Sequence, residues 1–125
     1  MEITPSVPLG RPVIEAYGGG RFRIAGRVHE GSVLILPDKA IAWPVASLEA
    51  VSRASLAEVF ERAQMLDILL LGTGAQLAMV DLGLRAAFIE ARIALEVMAT
   101  GAACRTFNVL LAEDRRVGAA LIAVP

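Results

Sequence analysis

Residues 96–117, EVMATGAACRTFNVLLAEDRRV, hold the pattern that decides the fold. They span the end of a short apolar strand over 94–98, a break at Thr100-Gly101, and a helix predicted over 101–113. The apolar run 117–124 then predicts a closing strand. A strand, a helix and a second strand in this order are typical of an α/β unit.

The segment before this stretch extends the same alternation. Ser55 and Glu58 have the spacing of a capping box, which predicts a helix over 55–64. Residues 67–71 are apolar at nearly every position, as expected of a central strand covered on both faces. Asp81 is a candidate cap for a helix over 81–92. The sequence therefore predicts an α/β three-layer sandwich with a mixed central sheet.

The first third of the chain predicts a different layer. Prolines make residues 1–16 an irregular arm, and residues 17–125 are then expected to form a single α/β domain. Alternating side chains predict a strand over 21–28, with a turn at 29–31 and a return strand over 32–36. This pair would add an N-terminal antiparallel β hairpin layer, and residues 40–43 would form a third extended piece.

Composition excludes several classes of function. The chain has 125 residues and a formal net charge of −1, so there is no positive field for nucleic acid. One cysteine cannot form an internal disulfide or a multi-cysteine zinc site, and it indicates a reducing, cytoplasmic setting. The longest unbroken apolar run is far too short for membrane insertion. We therefore expect no nucleic acid partner, no membrane insertion, no metal and no cofactor.

The predicted topology indicates a ligand crevice. If the strands that end near Leu71 and Met98 are parallel neighbours, their carboxyl ends open at one edge of the sheet, where ligands of open α/β sheets collect. A helix beginning after this edge would add free amide groups and the positive end of its dipole. The candidate ligand-binding residues for a small anion are Gly72, Thr73, Gly74, Gln76, Thr100, Gly101, Arg105 and Asn108.

The same residues have a purely structural explanation. Gly72-Thr73-Gly74 lacks the lysine of a P-loop and the third glycine of a dinucleotide motif, so a tight turn and a helix cap are the interpretation we favour over a ligand crevice. Cys104 lies in the first turn of a predicted helix, where the dipole would lower the pKa of its thiol. No base accompanies it, because the one histidine, His29, is predicted in a hairpin turn, and we interpret Cys104 as a packing residue.

Beyond these arguments the chain resembles a known family. The matching segments are residues 71–74, 96–98, 100–106, 108–110 and 113–117, and the resemblance extends from about residue 22 to the end. They are similar to the small α/β domain family of mitochondrial complex I assembly factor three and the adipogenesis-associated domain protein. The resemblance implies a three-layer fold with a mixed central sheet and no agreed catalytic activity. It also implies assembly or interaction roles for the eukaryotic relatives.

Five other residues have both a structural and a functional interpretation. Glu96 would pair with an arginine or point into the crevice, and pairing is the interpretation we favour. Trp43 is expected in the core rather than at an interface. The row Arg21, Arg23 and Arg27 fits a solvated strand face as well as it fits an acidic partner.

Two functions follow, from different classes. The first is a noncatalytic binding or assembly-factor-like module whose partner is a protein or a second copy. The alternative is an enzyme acting on a small anionic substrate at the crevice, with Cys104 or Thr73 as the nucleophile. Leu77, Met79 and Val80 follow the glycine turn, and the chain has more apolar residues than a domain of this size can bury. We therefore expect this loop and the neighbouring helix face to form a protein interface; the alternative is that the loop folds back as a lid. We favour the first function and assign no catalytic residue.

Overall fold

The computed structural model describes residues 11–125, whose strands form two sheets. The smaller sheet is an antiparallel meander of β1 (Ile14–Gly18), β2 (Arg21–Ile24) and β3 (Arg27–Glu30). The larger sheet contains β4 (Val33–Ile35), β5 (Ala40–Ala42), β6 (Ile68–Gly72), β7 (Ala94–Met98) and β8 (Val117–Leu121). An antiparallel layer beside a mixed sheet confirms the predicted fold class.

The larger sheet is mixed because of how its strands connect. Its order is β5-β4-β8-β6-β7; β6 runs parallel to β7 and β8, whereas β4 runs antiparallel to β5 and β8. Helix α2 (Leu82–Ala91) links β6 to β7, and α3 (Thr100–Ala112) links β7 to β8. These are the strand, helix, strand crossovers that a parallel pair requires.

Two hydrophobic cores cover the two faces of this sheet. Ile68 and Leu70 pack with α3 and the meander, while Leu69 and Leu71 pack with α2 and the irregular segment before β6. All five residues of β6 are buried, which confirms the prediction of a central strand covered on both sides. Asp81 caps α2 as predicted, because its carboxylate accepts a hydrogen bond from the amide of Leu84 at 2.7 Å.

The turn of the predicted hairpin was placed at the wrong residues. The chain reverses at Ala25 and Gly26, whose φ angles of 49° and 82° are left-handed, instead of at residues 29–31. His29 therefore lies in β3, paired with Phe22, and the return strand β4 joins the larger sheet. An Ala-Gly step inside an alternating pattern is a weak turn signal, because alanine rarely adopts a positive φ.

Three predicted boundaries also need correction. Residues 14–16, assigned to the irregular arm, belong to β1, and the first ten residues of that arm lie outside the described ones. The helix expected over 55–64 is only α1 (Ala57–Phe60), flanked by 3-10 turns at 54–56 and 63–65. Its capping box is absent, because the Ser55 hydroxyl accepts from the amide of Ser52. The last strand ends at Leu121 rather than at residue 124.

The structure also locates Trp43 and two residues of the arginine row. Trp43 is buried, and its indole Nε1 donates to the carbonyl of Ser55 at 2.8 Å, so its expected core position is confirmed. Arg21 and Arg23 lie on a solvated face and pair with Glu30 and Glu15 at 3.4 Å each. Among residues 11–125, no helix is long and apolar enough to cross a lipid bilayer.

Candidate functional site

The carboxyl ends of β6 and β7 meet at one edge of the sheet, as the sequence predicts. Gly72 lies opposite Met98 in the parallel register. The amide of Thr73 donates to the carbonyl of Met98 at 2.9 Å, and the amide of Thr100 donates to the carbonyl of Gly74 at 2.9 Å. The two loops of the predicted crevice are therefore joined directly by backbone hydrogen bonds.

Thr100 is the centre of this edge. Its side chain is completely buried, its hydroxyl donates to the carbonyl of Ile122 at 2.7 Å, and it accepts from the amide of Gly74 at 2.9 Å. Gly72 makes room for it, because a Cβ at Gly72 would lie 2.9 Å from the Thr100 hydroxyl oxygen and 3.0 Å from its Cα. Thr100 thus ties β6, α3 and the end of β8 together.

Thr73 and Gln76 also hold the loop closed. The Thr73 hydroxyl donates to the carbonyl of Gln76 at 2.6 Å, which folds residues 73–76 into a compact turn. Gln76 contributes its backbone carbonyl to this contact, while the residue itself is exposed. These bonds support the structural explanation of the glycine turn given by the sequence.

The other predicted ligands face the first strand rather than these loops. Arg105 donates through Nη1 to the Tyr17 hydroxyl at 2.9 Å, and the Tyr17 ring covers Gly101, where a Cβ would lie 2.7 Å from that hydroxyl. Asn108 accepts from the amide of Ile14 at 2.9 Å and donates to its carbonyl at 2.8 Å. The structure therefore divides the predicted set into a loop group and a group that fastens β1 to α3. Anion binding at this edge stays a prediction.

Cys104 lies on α3 and is buried in the core between this helix and the meander. Desolvation raises the pKa of its thiol from 9.0 to about 12, and the nearby Arg105 charge offsets only part of this effect. The helix dipole was expected to lower the pKa of this thiol, but burial has the larger effect and raises it. The folded protein keeps a protonated thiol at neutral pH, which fits the interpretation of Cys104 as a packing residue.

This pKa predicts a pH effect. Above about pH 9 the thiol ionises in the unfolded chain but stays protonated in the folded one, so stability is lost as pH rises toward the folded pKa. Cys104→Ala should cost about 1 kcal/mol at pH 7, and the cost should shrink by pH 11. Denaturant titrations of both proteins at the two pH values measure this, and a cost that grows with pH contradicts it.

The structure also gives the positions of Glu96 and His29. Glu96 is exposed on β7 and forms no ion pair with any described residue, so the preferred pairing with an arginine is wrong there. His29 is partly buried in β3, and no group of three metal-binding side chains occurs in that same described part.

An exposed apolar surface lies beside this edge. In the loop before α2, Leu77 and Met79 are 67% and 84% exposed, whereas Val80 is buried in the core. The loop is therefore neither a complete lid nor fully open, and we call Leu77 and Met79 the loop surface. Leu82 and Ile89 on α2 are 83% and 77% exposed. Both lie on the helix next to the loop, where the sequence predicts part of the interface without singling out these two residues.

Comparison with known proteins identifies the family. The model of the family described as protein of unknown function (DUF498/DUF598) matches residues 14–122. The chain belongs to this family. The match covers the meander, the mixed sheet and the edge around Thr100, so the DUF498/DUF598 domain corresponds to the described fold.

Relatives and a solved structure support the assignment. An uncharacterised Rhodobacter capsulatus protein is 42% identical over 90% of this chain and 85% of its own length. The zebrafish NADH dehydrogenase [ubiquinone] 1 alpha subcomplex assembly factor 3 is 34% identical over 90% of this chain, which spans 65% of that protein. A crystal structure described as an outer membrane protein of Bartonella henselae has a TM-score of 0.88 and 41% identity, covering 94% and 98% of the two chains. The predicted resemblance to the assembly-factor family is confirmed.

Proposed function

We propose that this chain is a noncatalytic protein-binding module of the assembly-factor type, which holds a client protein at its loop surface. The observation that carries the proposal is the exposure of Leu77 and Met79 in the same loop. Large apolar side chains grouped on the surface of a folded domain mark contact sites more often than isolated ones do. The relatives named as assembly factors support a role in holding other proteins.

The shape of the loop supports this role. The Thr73 hydroxyl bond to the Gln76 carbonyl fixes its start, and buried Val80 with the Asp81 cap fixes its end. Leu77 and Met79 are therefore carried between two anchored points. A preorganised loop loses less conformational entropy on binding than a free one. Methionine adds an adaptable side chain that suits an interface able to accept related partners.

The chemistry at the sheet edge is consistent with a module without catalysis. Thr73 and Thr100 use their hydroxyls in structural hydrogen bonds, and burial keeps the Cys104 thiol protonated. A protonated thiol without an adjacent base is a poor nucleophile. We place the protein in the cytoplasm, where a single thiol stays reduced. The enzyme alternative and its small anionic substrate stay predictions.

Site-specific photo-cross-linking tests the proposal. A photoreactive amino acid at position 77 or 79, in cells that make the protein naturally, should capture the same protein from both positions. Val28 and Val109 provide matched controls, because they are also apolar and are 56% and 57% exposed. Capture at the loop but not at the two control positions supports the proposal. Equal capture at all four positions, or none at the loop, contradicts it.

A further inference from the structure

Helix α2 is apolar on two opposite faces. Leu84 and Phe88 are buried against the sheet. At about 100° per residue, Leu82, Ala86 and Ile89 lie on the side facing away from the core, and all three are exposed. We call these three residues the outer stripe. A helix that is apolar all round is typical of a buried position, and α2 is buried on one side only.

The spacing of the outer stripe is that of a coiled-coil seam. Steps of four and then three residues separate Leu82, Ala86 and Ile89, which gives them alternating d, a and d positions of a heptad. The small Ala86 lies between two larger side chains. Such a seam packs its side chains into the gaps of a facing helix.

Two opposite charges flank this seam. Arg85 takes the g position before Ala86, and Glu90 takes the e position after Ile89, five residues later. In a parallel helix pair, a g residue faces the e residue five positions on in the other helix, so two identical helices would form two Arg85–Glu90 pairs. In an antiparallel pair, g faces g and e faces e, so like charges would meet. Within residues 11–125 neither side chain takes part in an ion pair.

We propose that a second copy of this chain docks on the outer stripe, with the two α2 helices parallel about a two-fold axis. Charge complementarity selects this occupant, because one helix supplies both members of each pair. The inference rests on the proposed function, since it assigns the outer stripe to self-association and leaves the loop surface to the client. Parallel helices begin at the same end, so both copies of Leu77 and Met79 would be presented together.

Sedimentation velocity on the purified full chain tests the arrangement. The wild-type protein should dimerise reversibly as its concentration rises through the micromolar range. Arg85→Glu and Glu90→Arg should each weaken the dimer by about tenfold or more, because two attractive pairs become repulsive. Combining both substitutions in one chain should restore it. Val109→Ser, which removes an exposed apolar side chain on α3, is the control and should leave the dimer unchanged.

The outcomes separate this inference from the proposed function. A wild-type monomer at every concentration, or a dimer unaffected by either single charge reversal, overturns the parallel arrangement. Restoration by the double reversal excludes misfolding as the cause of a loss. Photo-cross-linking from position 79 of the Arg85→Glu protein measures client binding independently of the dimer. If capture persists while the charge reversals leave association unchanged, the parallel α2 dimer is wrong and the protein-binding role stands. If the dimer responds to the charge reversals as expected but capture fails, the protein-binding role is wrong and the parallel dimer stands.

Discussion

Replacing Thr100 with valine should lower the free energy of unfolding by about 2–5 kcal/mol. Valine preserves the shape of threonine but removes the hydroxyl that donates to the Ile122 carbonyl and accepts from the Gly74 amide. Both backbone groups would then be buried without these partners, so no hydrogen bond would offset the free-energy cost of removing them from water. Urea denaturation followed by circular dichroism measures the change.

Thr106→Val is the matched control for this prediction. Thr106 lies on the same helix, is only half-buried, and takes no part in the bonds to Gly74 and Ile122. The same substitution there should change stability by less than about 1 kcal/mol. A similar small effect at both positions would mean that the Thr100 hydroxyl does not hold the sheet edge.

Replacing Asn108 with leucine should cost about 2 kcal/mol and loosen β1 selectively. The Asn108 amide satisfies both the N–H and the carbonyl of Ile14, so it fastens the meander to α3. Leucine has a similar size but can replace neither bond. Hydrogen exchange should therefore accelerate at β1 and β2 more than at β6.

Val109→Ala serves as the control for the Asn108 change. Val109 is the next residue on α3, but it is exposed and does not contact the meander through a hydrogen bond to Ile14. Its substitution should leave exchange in β1 unaltered. Uniform acceleration across both sheets after Asn108→Leu would contradict a local fastening role.

Much of the mixed sheet was predictable because burial imposes a simple pattern. The apolar run of β6, the Asp81 cap and the Thr100-Gly101 break each correspond to an element end or a buried strand. The Ala25-Gly26 turn was not predictable, because alanine rarely adopts the left-handed backbone that Ala25 has there, and the strands that flank the turn pair along the meander. The predicted helix over 55–64 likewise gives way to short turns.

The candidate site was predictable in position but not in its contacts. Parallel topology brought the loops after β6 and β7 together, as expected. Arg105 and Asn108, however, bond to Tyr17 and Ile14, which are 88 and 94 residues away in sequence. Local spacing contains no information about such partners. Exposure of Leu77 and Met79 was anticipated from an excess of apolar residues, since a small domain cannot bury them all.

The affinity for the protein captured at the loop tests the central claim most directly. Calorimetric titration should compare the wild type, the Leu77→Ser/Met79→Ser variant and the Val28→Ser/Val109→Ser control with that purified protein. If the loop surface is the binding site, the first variant should weaken binding by about a hundredfold through loss of two exposed anchors, while the control binds like the wild type. A folded Leu77→Ser/Met79→Ser protein that binds as tightly as the wild type would contradict the account.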